Sequence, residues 1–406
     1  MDLSVPAELL EMQQVVRTFI QRELAPLEQQ VDEADYIDDE TMRALRQRAV
    51  KIGVYGYNLP ESVGGGGLPP LGDVLISQEM GRTSIPLGEA IGRLPTALGR
   101  CDAQQRGWLL EPILRGEKVT ANALSEPGAG SDLGASQTRA VPDGEGWRIN
   151  GFKQFVCGAQ SSDYIILLAV TEPEAPLRDR FTTFVVDTNA PGLQMVTRFK
   201  KMGWRGLSMN AFAIDDCYVG PDRVLGGVGS GFATIMSSVN TMRLSIAARC
   251  VGAAEELLRI ARDYALTRRT FGSLLADHQA IQFKLADMDV SLEAARMLVL
   301  AAAWSIERES PDQRIAASRA KLFASEAAGR VADEAMQILG GAGYMGDIPI
   351  ERMYRDLRGY RIGEGASEIQ RIQIARHVIG TGKPGPTHRG VPRQALRLGG
   401  GGPGGR

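Results

Sequence analysis

Glu364 stands between two glycines, in Gly363-Glu364-Gly365-Ala366-Ser367-Glu368, just ahead of an amphipathic stretch from Ile369 to Ile379. A carboxylate without bulk on either side, where the chain can bend sharply, suits a base that must reach a substrate carbon. A second segment, Leu124-Ser125-Glu126-Pro127-Gly128-Ala129-Gly130-Ser131-Asp132, is a glycine-rich loop. Its backbone N–H groups and the Ser131 hydroxyl could face an anion such as a pyrophosphate. A third, Arg268-Arg269-Thr270-Phe271-Gly272, is followed by His278-Gln279. Its guanidiniums could bind phosphate and its aromatic ring could cover a ring system. A fourth, Phe155-Val156-Cys157-Gly158, puts an aromatic at a strand end, where it could pack on a flat ligand. Each segment also has an ordinary reading: an acid in a linker, a surface turn, a helix C-terminus whose cations offset the macrodipole, a packed core residue. The run Gly226-Gly227-Val228-Gly229-Ser230-Gly231-Phe232 lacks the Lys-Ser/Thr of a phosphate loop and reads as an interdomain hinge.

Few other residues compete for the chemistry. The three histidines, His278, His377 and His388, show no metal-ligand spacing, so no metal is expected, and their scarcity argues against a Ser-His-Asp or Cys-His mechanism. Cys101, Cys157, Cys217 and Cys250 are far apart and read as free thiols of a reducing compartment. A formal net charge of -2 gives no reason to expect nucleic acid or an acidic membrane surface as a partner. The first residues carry no apolar leader, and no apolar run is long enough to span a bilayer, so a cytoplasmic protein without membrane contact is expected.

A chain of 406 residues is too long for one ordinary core. Residues 1–118 show helical periodicity, as at Met12, Val15, Val16 and Phe19. Residues 119–228 carry β patterns: Trp147 to Gly151, Tyr164 to Val170, Phe181 to Val186 and Phe212 to Ile214. Residues 229–380 return to long helices, with Leu285, Met288, Leu292, Ala295 and Val299 along one face. Ser310-Pro311-Asp312 reads as a helix start and Gly340-Gly341 as its end. The fold class is therefore α+β: helical domain, β domain, helical bundle. Residues 381–406 contain no acid and many glycines, and read as a solvated disordered tail.

Taken in order, these segments resemble the acyl-CoA dehydrogenase family. Leu59-Pro60-Glu61, Ile149 to Lys153, Lys201 to Gly206, Gln337 to Tyr344 and Arg355 to Arg371 carry the likeness further, so that it runs from about residue 5 to 380. The resemblance implies a central β-barrel-like domain, a C-terminal four-helix bundle, and FAD between them, completed by a neighbouring subunit. Homotetramers are usual in the family, dimers less so. Leu124, Ser125, Gly130 and Ser131 would line the flavin and its pyrophosphate. Phe155 takes a position where the family commonly has Trp. Cys157 replaces a Thr or Ser that donates to the flavin, and a thiol is the weaker donor. Arg268, Thr270, Phe271, His278, Gln279, Gln337, Gly340 and Gly341 would reach the FAD of a second subunit. Ala366 and Glu368 match the loop near the adenosine.

The resemblance makes Glu364 the base that removes the α proton of an acyl-CoA while the β hydride passes to flavin N5, giving the trans-2-enoyl-CoA. Some relatives carry the base one position before Arg243; here Met242 stands there. Ser131, Asn240, Arg243 and Gly365 would contact the substrate. Electrons would pass to an electron-transfer flavoprotein or a similar acceptor. An acyl-CoA oxidase, a dehydrogenase of carrier-protein-tethered acyl groups, a flavin monooxygenase and a non-catalytic acyl-CoA binder are the alternatives. The acyl-pocket floor would include Gly88, Glu89, Gly92 and Arg93. Its glycines could admit a branched or cyclic chain, and Arg93 could meet a terminal carboxylate or face solvent.

Overall fold

The computed structural model describes residues 5–380; the first four residues and the tail over 381–406 lie outside the described residues. The chain opens with helices α1 (Ala7–Phe19), α2 (Glu28–Ala34), α3 (Asp39–Lys51) and α4 (Pro70–Met80), then the short turns α5 (Ile85–Gly88), α6 (Ala103–Gln105) and α7 (Glu111–Leu114). Helix α3 starts at Asp38, whose carboxylate accepts the Thr41 N–H at 2.7 Å. Helix α4 is buried from Gly72 to Met80, so its polar side chains need partners inside the protein. Ser77 meets Ser245 at 2.7 Å, and Glu79 pairs with Arg17 at 2.7 Å.

An eight-stranded sheet follows: β1 (Thr120–Ala123), β2 (Arg139–Asp143), β3 (Gly146–Cys157), β4 (Tyr164–Val170), β5 (Phe181–Asp187), β6 (Leu193–Arg198), β7 (Met209–Val219) and β8 (Val224–Leu225). Its path runs β6-β7-β3-β2-β4-β5-β8, with β1 parallel to β4. Strands β4 and β5 are buried on both faces, as expected of strands covered on each side. Strand β3 is irregular where it matters: its register against β7 shifts between Lys153 and Val156, and Phe155 inside that bulge has φ 57°.

The last third is α8 (Gly231–Thr267), a hairpin of β9 (Arg269–Thr270) and β10 (Ser273–Leu274), α9 (Gln279–Glu307), α10 (Gln313–Leu339), α11 (Gly341–Tyr344), α12 (Ile350–Tyr360) and α13 (Ser367–Ile379). The expected apolar face of α9 is present, with Met288, Leu292, Ala295 and Val299 buried. Helix α10 starts later than expected from Ser310-Pro311-Asp312. Those residues form a turn instead, closed by the Gln313 N–H on the Ser310 carbonyl at 3.0 Å. Gly340 does end it, at φ 59°.

Helix α8 meets the N-terminal helices at the closest range possible. A β-carbon on Gly252 would lie 1.8 Å from the Gln78 carbonyl oxygen, and one on Gly81 would lie 2.0 Å from that of Arg249. Backbone therefore rests on backbone, which only glycine permits.

Candidate active site

Glu364 sits on the turn between α12 and α13. Two other parts of the molecule fix α12. Its Arg352 pairs with Glu28 at 2.8 Å and its Arg355 with Asp32 at 2.9 Å, both on α2. From the sheet side, the Trp204 indole N–H donates to the Asp356 carbonyl at 2.9 Å, while the Trp204 backbone N–H donates to the Asp356 carboxylate. Burial raises that carboxyl to about 6 against the pull of this bond and of Arg352 and Arg355.

Beyond α12 the chain turns through Glu364 at φ 53° and Gly365 at φ 86°. Left-handed backbone is uncommon for a residue with a side chain, and it clusters at functional positions. By surface area Glu364 is exposed, whereas its surroundings are those of a buried group. Its side chain reaches solvent, yet protein atoms crowd the carboxyl, and that crowding governs its charge. Desolvation pushes its carboxyl above the usual range, while the charges of Lys321 and Arg93 oppose that rise. Two further side chains hold the turn through three hydrogen bonds. The buried Lys321 donates to the carbonyls of Gly363 at 3.2 Å and Gly365 at 2.7 Å, and Gln370 donates to that of Gly365 at 2.8 Å. Arg243 is buried nearby on α8 and donates to Ser318 at 3.1 Å. With no acid at hand, burial and Arg314 bring its guanidinium down to about 10.

Cys157, at the end of β3, belongs to the same surroundings. Burial and then the Glu364 charge push its thiol up to about 12. Two residues earlier the Phe155 ring is 52% exposed and leans on Phe199, centroids 5.1 Å apart. The loop from Leu124 to Asp132 lies against this strand: the Ser125 carbonyl accepts the Gln154 N–H at 2.9 Å. Beneath it, fully buried Lys153 donates to the Leu124 carbonyl at 3.1 Å and to Glu126 at 2.7 Å. Glu126 also accepts the N–H groups of Gln137 and Thr138. Burial would raise its carboxyl, but Lys153 and these donors hold it below the usual range. So braced, the loop leaves Gly130 and Ser131 exposed, with open space where β-carbons on Gly128 and Gly130 would sit. An open glycine cradle beside an exposed aromatic ring fits a flat cofactor with a phosphate tail.

The structure thus brings together Leu124, Ser125, Gly130, Ser131, Phe155 and Cys157 on one side, and Arg243, Glu364, Gly365, Ala366 and Glu368 on the other. Asn240 is half-buried on α8. A second group stands apart. Arg268 and Thr270 lie on or beside the β9–β10 hairpin, whose turn is Phe271 at φ 49° and Gly272 at φ 82°. His278 reaches the Thr270 carbonyl at 3.4 Å and Gln279 opens α9. The hairpin replaces the simple helix end that the residues alone allowed. Phe271 is 97% exposed, and Gln337, Gly340 and Gly341 at the end of α10 are exposed too.

At the expected acyl-pocket floor, Arg93 neither faces solvent nor stands free. It forms a buried pair with Asp73 at 3.0 Å. Glu89 is held by Arg249 at 2.9 Å. Gly92 offers no room, because a β-carbon there would fall 2.1 Å from the Tyr55 ring. Sequence reasoning missed Lys321, Gln370, Lys153 and the role of Glu126. One signal was present: Lys321 interrupts the alanine face of α10 made by Ala317, Ala324 and Ala328. Among the described residues no cluster of His, Cys, Asp and Glu could hold a metal, and no helix is long and apolar enough to cross a membrane.

Three family models match in chain order: "Acyl-CoA dehydrogenase, N-terminal domain" over residues 6–117, "Acyl-CoA dehydrogenase, middle domain" over 121–217 and "Acyl-CoA dehydrogenase, C-terminal domain" over 229–379. Among curated proteins, a 3-(aryl)acrylate reductase of Clostridium sporogenes is 36% identical over 91% of this chain and 97% of its own. The human mitochondrial short-chain specific acyl-CoA dehydrogenase is 36% identical over 90% of this chain and 89% of its own. Among solved structures, butyryl-CoA dehydrogenase from Megasphaera elsdenii superposes with a TM-score of 0.84 at 29% identity, covering 93% of this chain and all of that one.

Proposed function

The chain belongs to the acyl-CoA dehydrogenase family of flavin-dependent oxidoreductases, and on that premise we propose that it oxidises an acyl-CoA to the trans-2-enoyl-CoA with Glu364 as the base. The observation that carries this reading is Glu364 itself: a desolvated carboxylate in a left-handed turn, sharing its surroundings with the end of β3.

The thioester carbonyl acidifies the α C–H, and the Glu364 carboxylate takes that proton. A raised affinity for protons makes it a better base near neutral pH than an ordinary carboxylate. The charges of Lys321 and Arg93 oppose the rise that desolvation causes. The loop from Leu124 to Ser131, with Phe155 and Cys157, would hold FAD, which when bound would accept the β hydrogen as hydride. Asn240 and Arg243 would meet the acyl-CoA. Electrons would leave to an electron-transfer flavoprotein or similar carrier. The exposure of Phe271, Arg268 and Gln337 on one protomer supports a homo-oligomer in which they complete a second copy's cofactor site. The boundaries near residues 118 and 228 would separate the helical, β and bundle domains.

Arg93 and Arg249 are already neutralised by Asp73 and Glu89, which supports an acyl chain without a terminal carboxylate. The test is anaerobic titration of the purified flavoprotein with butyryl-, isobutyryl-, octanoyl-, 3-phenylpropionyl- and glutaryl-CoA, beside Glu364→Gln. Bleaching by an uncharged acyl class, absent for glutaryl-CoA and lost in the variant, is expected. A flavin that none of them bleaches, or no flavin bound after FAD is added, overturns the reading.

A further inference from the structure

Lys321 lies in the first half of α10, fully buried on a face of alanines. Burying an ammonium is costly unless it is paired. Yet the hydrogen bonds this one makes go to two neutral carbonyls, those of Gly363 and Gly365, on either side of Glu364. Gln370, also fully buried, adds a bond to the Gly365 carbonyl. Glu364 is left-handed, which costs a residue with a side chain, and Gly365 beside it takes the same region freely, so the strain of the turn falls on Glu364. An apolar side chain would pack on the alanine face at less cost, and packing alone gives no reason for a cation.

We infer that Lys321 is a positioning residue for Glu364: by clasping the carbonyls before and after it, Lys321 fixes the strained turn and presents a positive charge to the carboxylate. The inference rests on the reading of Glu364 as the base. Several groups face this pair. Cys250 and Arg243 on α8, Glu364 on the turn and Glu368 on α13 act on Lys321, and Lys321 and Arg93 act on Glu364. Desolvation lowers the ammonium to about 8, against the pull of Cys250, Glu364 and Glu368. The donors persist when the charge is lost, so clasp and charge are separable. Lys321→Gln keeps a donor without charge, and Lys321→Met keeps neither.

The full-length, FAD-loaded protein serves for the test. It compares the wild type, Lys321→Met, Lys321→Gln, Gln370→Met and Glu364→Gln. The substrate is the thioester of the panel that reduces the wild-type flavin fastest. Lys321→Met should slow flavin reduction about 10²-fold, the cost of a base displaced by about an ångström, with little change in KM. Its amide hydrogen exchange should rise over residues 361–369 and not elsewhere. Lys321→Gln should recover the exchange protection and part of the rate. In both variants the acidic limb of the pH–rate profile should move up by about one unit, because the cation opposing protonation of Glu364 is gone. Gln370→Met should raise exchange in the same segment, a result available even if Lys321→Met does not fold. Wild-type rate, limb and exchange in folded Lys321 variants would overturn the inference while an inactive Glu364→Gln left the base assignment standing. An active Glu364→Gln would overturn both.

Discussion

Glu364 combines three properties that no single neighbour explains: a left-handed backbone, an accessible carboxylate and a protein-like environment. The first costs stability, and the third costs charge. A residue that bears both costs and still meets solvent is placed for chemistry rather than for packing. Replacing it by glutamine keeps size and removes basicity, so flavin reduction by acyl-CoA should fall by about 10²–10⁴-fold while FAD remains bound. The pH dependence has a definite sign. The base works ionised and its carboxyl is raised, so the wild-type rate should climb with pH through a limb above the ordinary carboxylate range. A limb at the ordinary value in stopped-flow reduction would mean that burial does not govern this group.

Elements carry these residues by two devices. Strand β3 bulges after Lys153, which turns Phe155 outward while Lys153 stays under the loop it supports. Removing one partner of a buried pair leaves the other uncompensated, so Lys153→Met should cost roughly 3–5 kcal/mol in chemical denaturation and weaken FAD retention. The pair also has a pH signature. Glu126 is held below its ordinary value, so its contribution is present above the unfolded pKa and is lost as pH falls through the lower folded one. The second device is the contact of α8 with α4. Gly252→Ala would force a methyl into the Gln78 carbonyl at 1.8 Å. Helix separation is the only relief, and a loss of about 3 kcal/mol, seen as a lower denaturation midpoint, is the expected size for strained overpacking.

Across the whole molecule, α12 is tied to the N-terminal helices through Glu28 and Asp32 and to the sheet through Trp204. The turn bearing Glu364 therefore depends on all three regions at once, which a site built on one element would not. The free thiols report the integrity of the whole. Burial raises Cys217, and raises Cys101, Cys157 and Cys250 to about 12, so each is a protonated thiol at neutral pH. The thiolate is the nucleophile, so iodoacetamide at pH 7.5 should leave the native protein unmodified by mass and alkylate all four after unfolding.

Much of this was readable without coordinates. A glycine on each side of Glu364, glycines spaced through the loop to Ser131, and a change from helical to alternating periodicity are local properties, and local sterics act through sequence neighbours. The order helical, β, helical follows from them. What tertiary structure alone decided depends on contacts between distant residues. Lys321 reaches carbonyls 42 and 44 positions away, and nothing near it in the chain announces that reach. Arg93 looked available for a substrate carboxylate until Asp73, twenty positions earlier, was found to neutralise it. Gly92 looked like open space until the Tyr55 ring filled it. Charge and room are set by what surrounds a residue in three dimensions. Sequence determined which residues were present for the chemistry, and packing decided which of them were free to perform it.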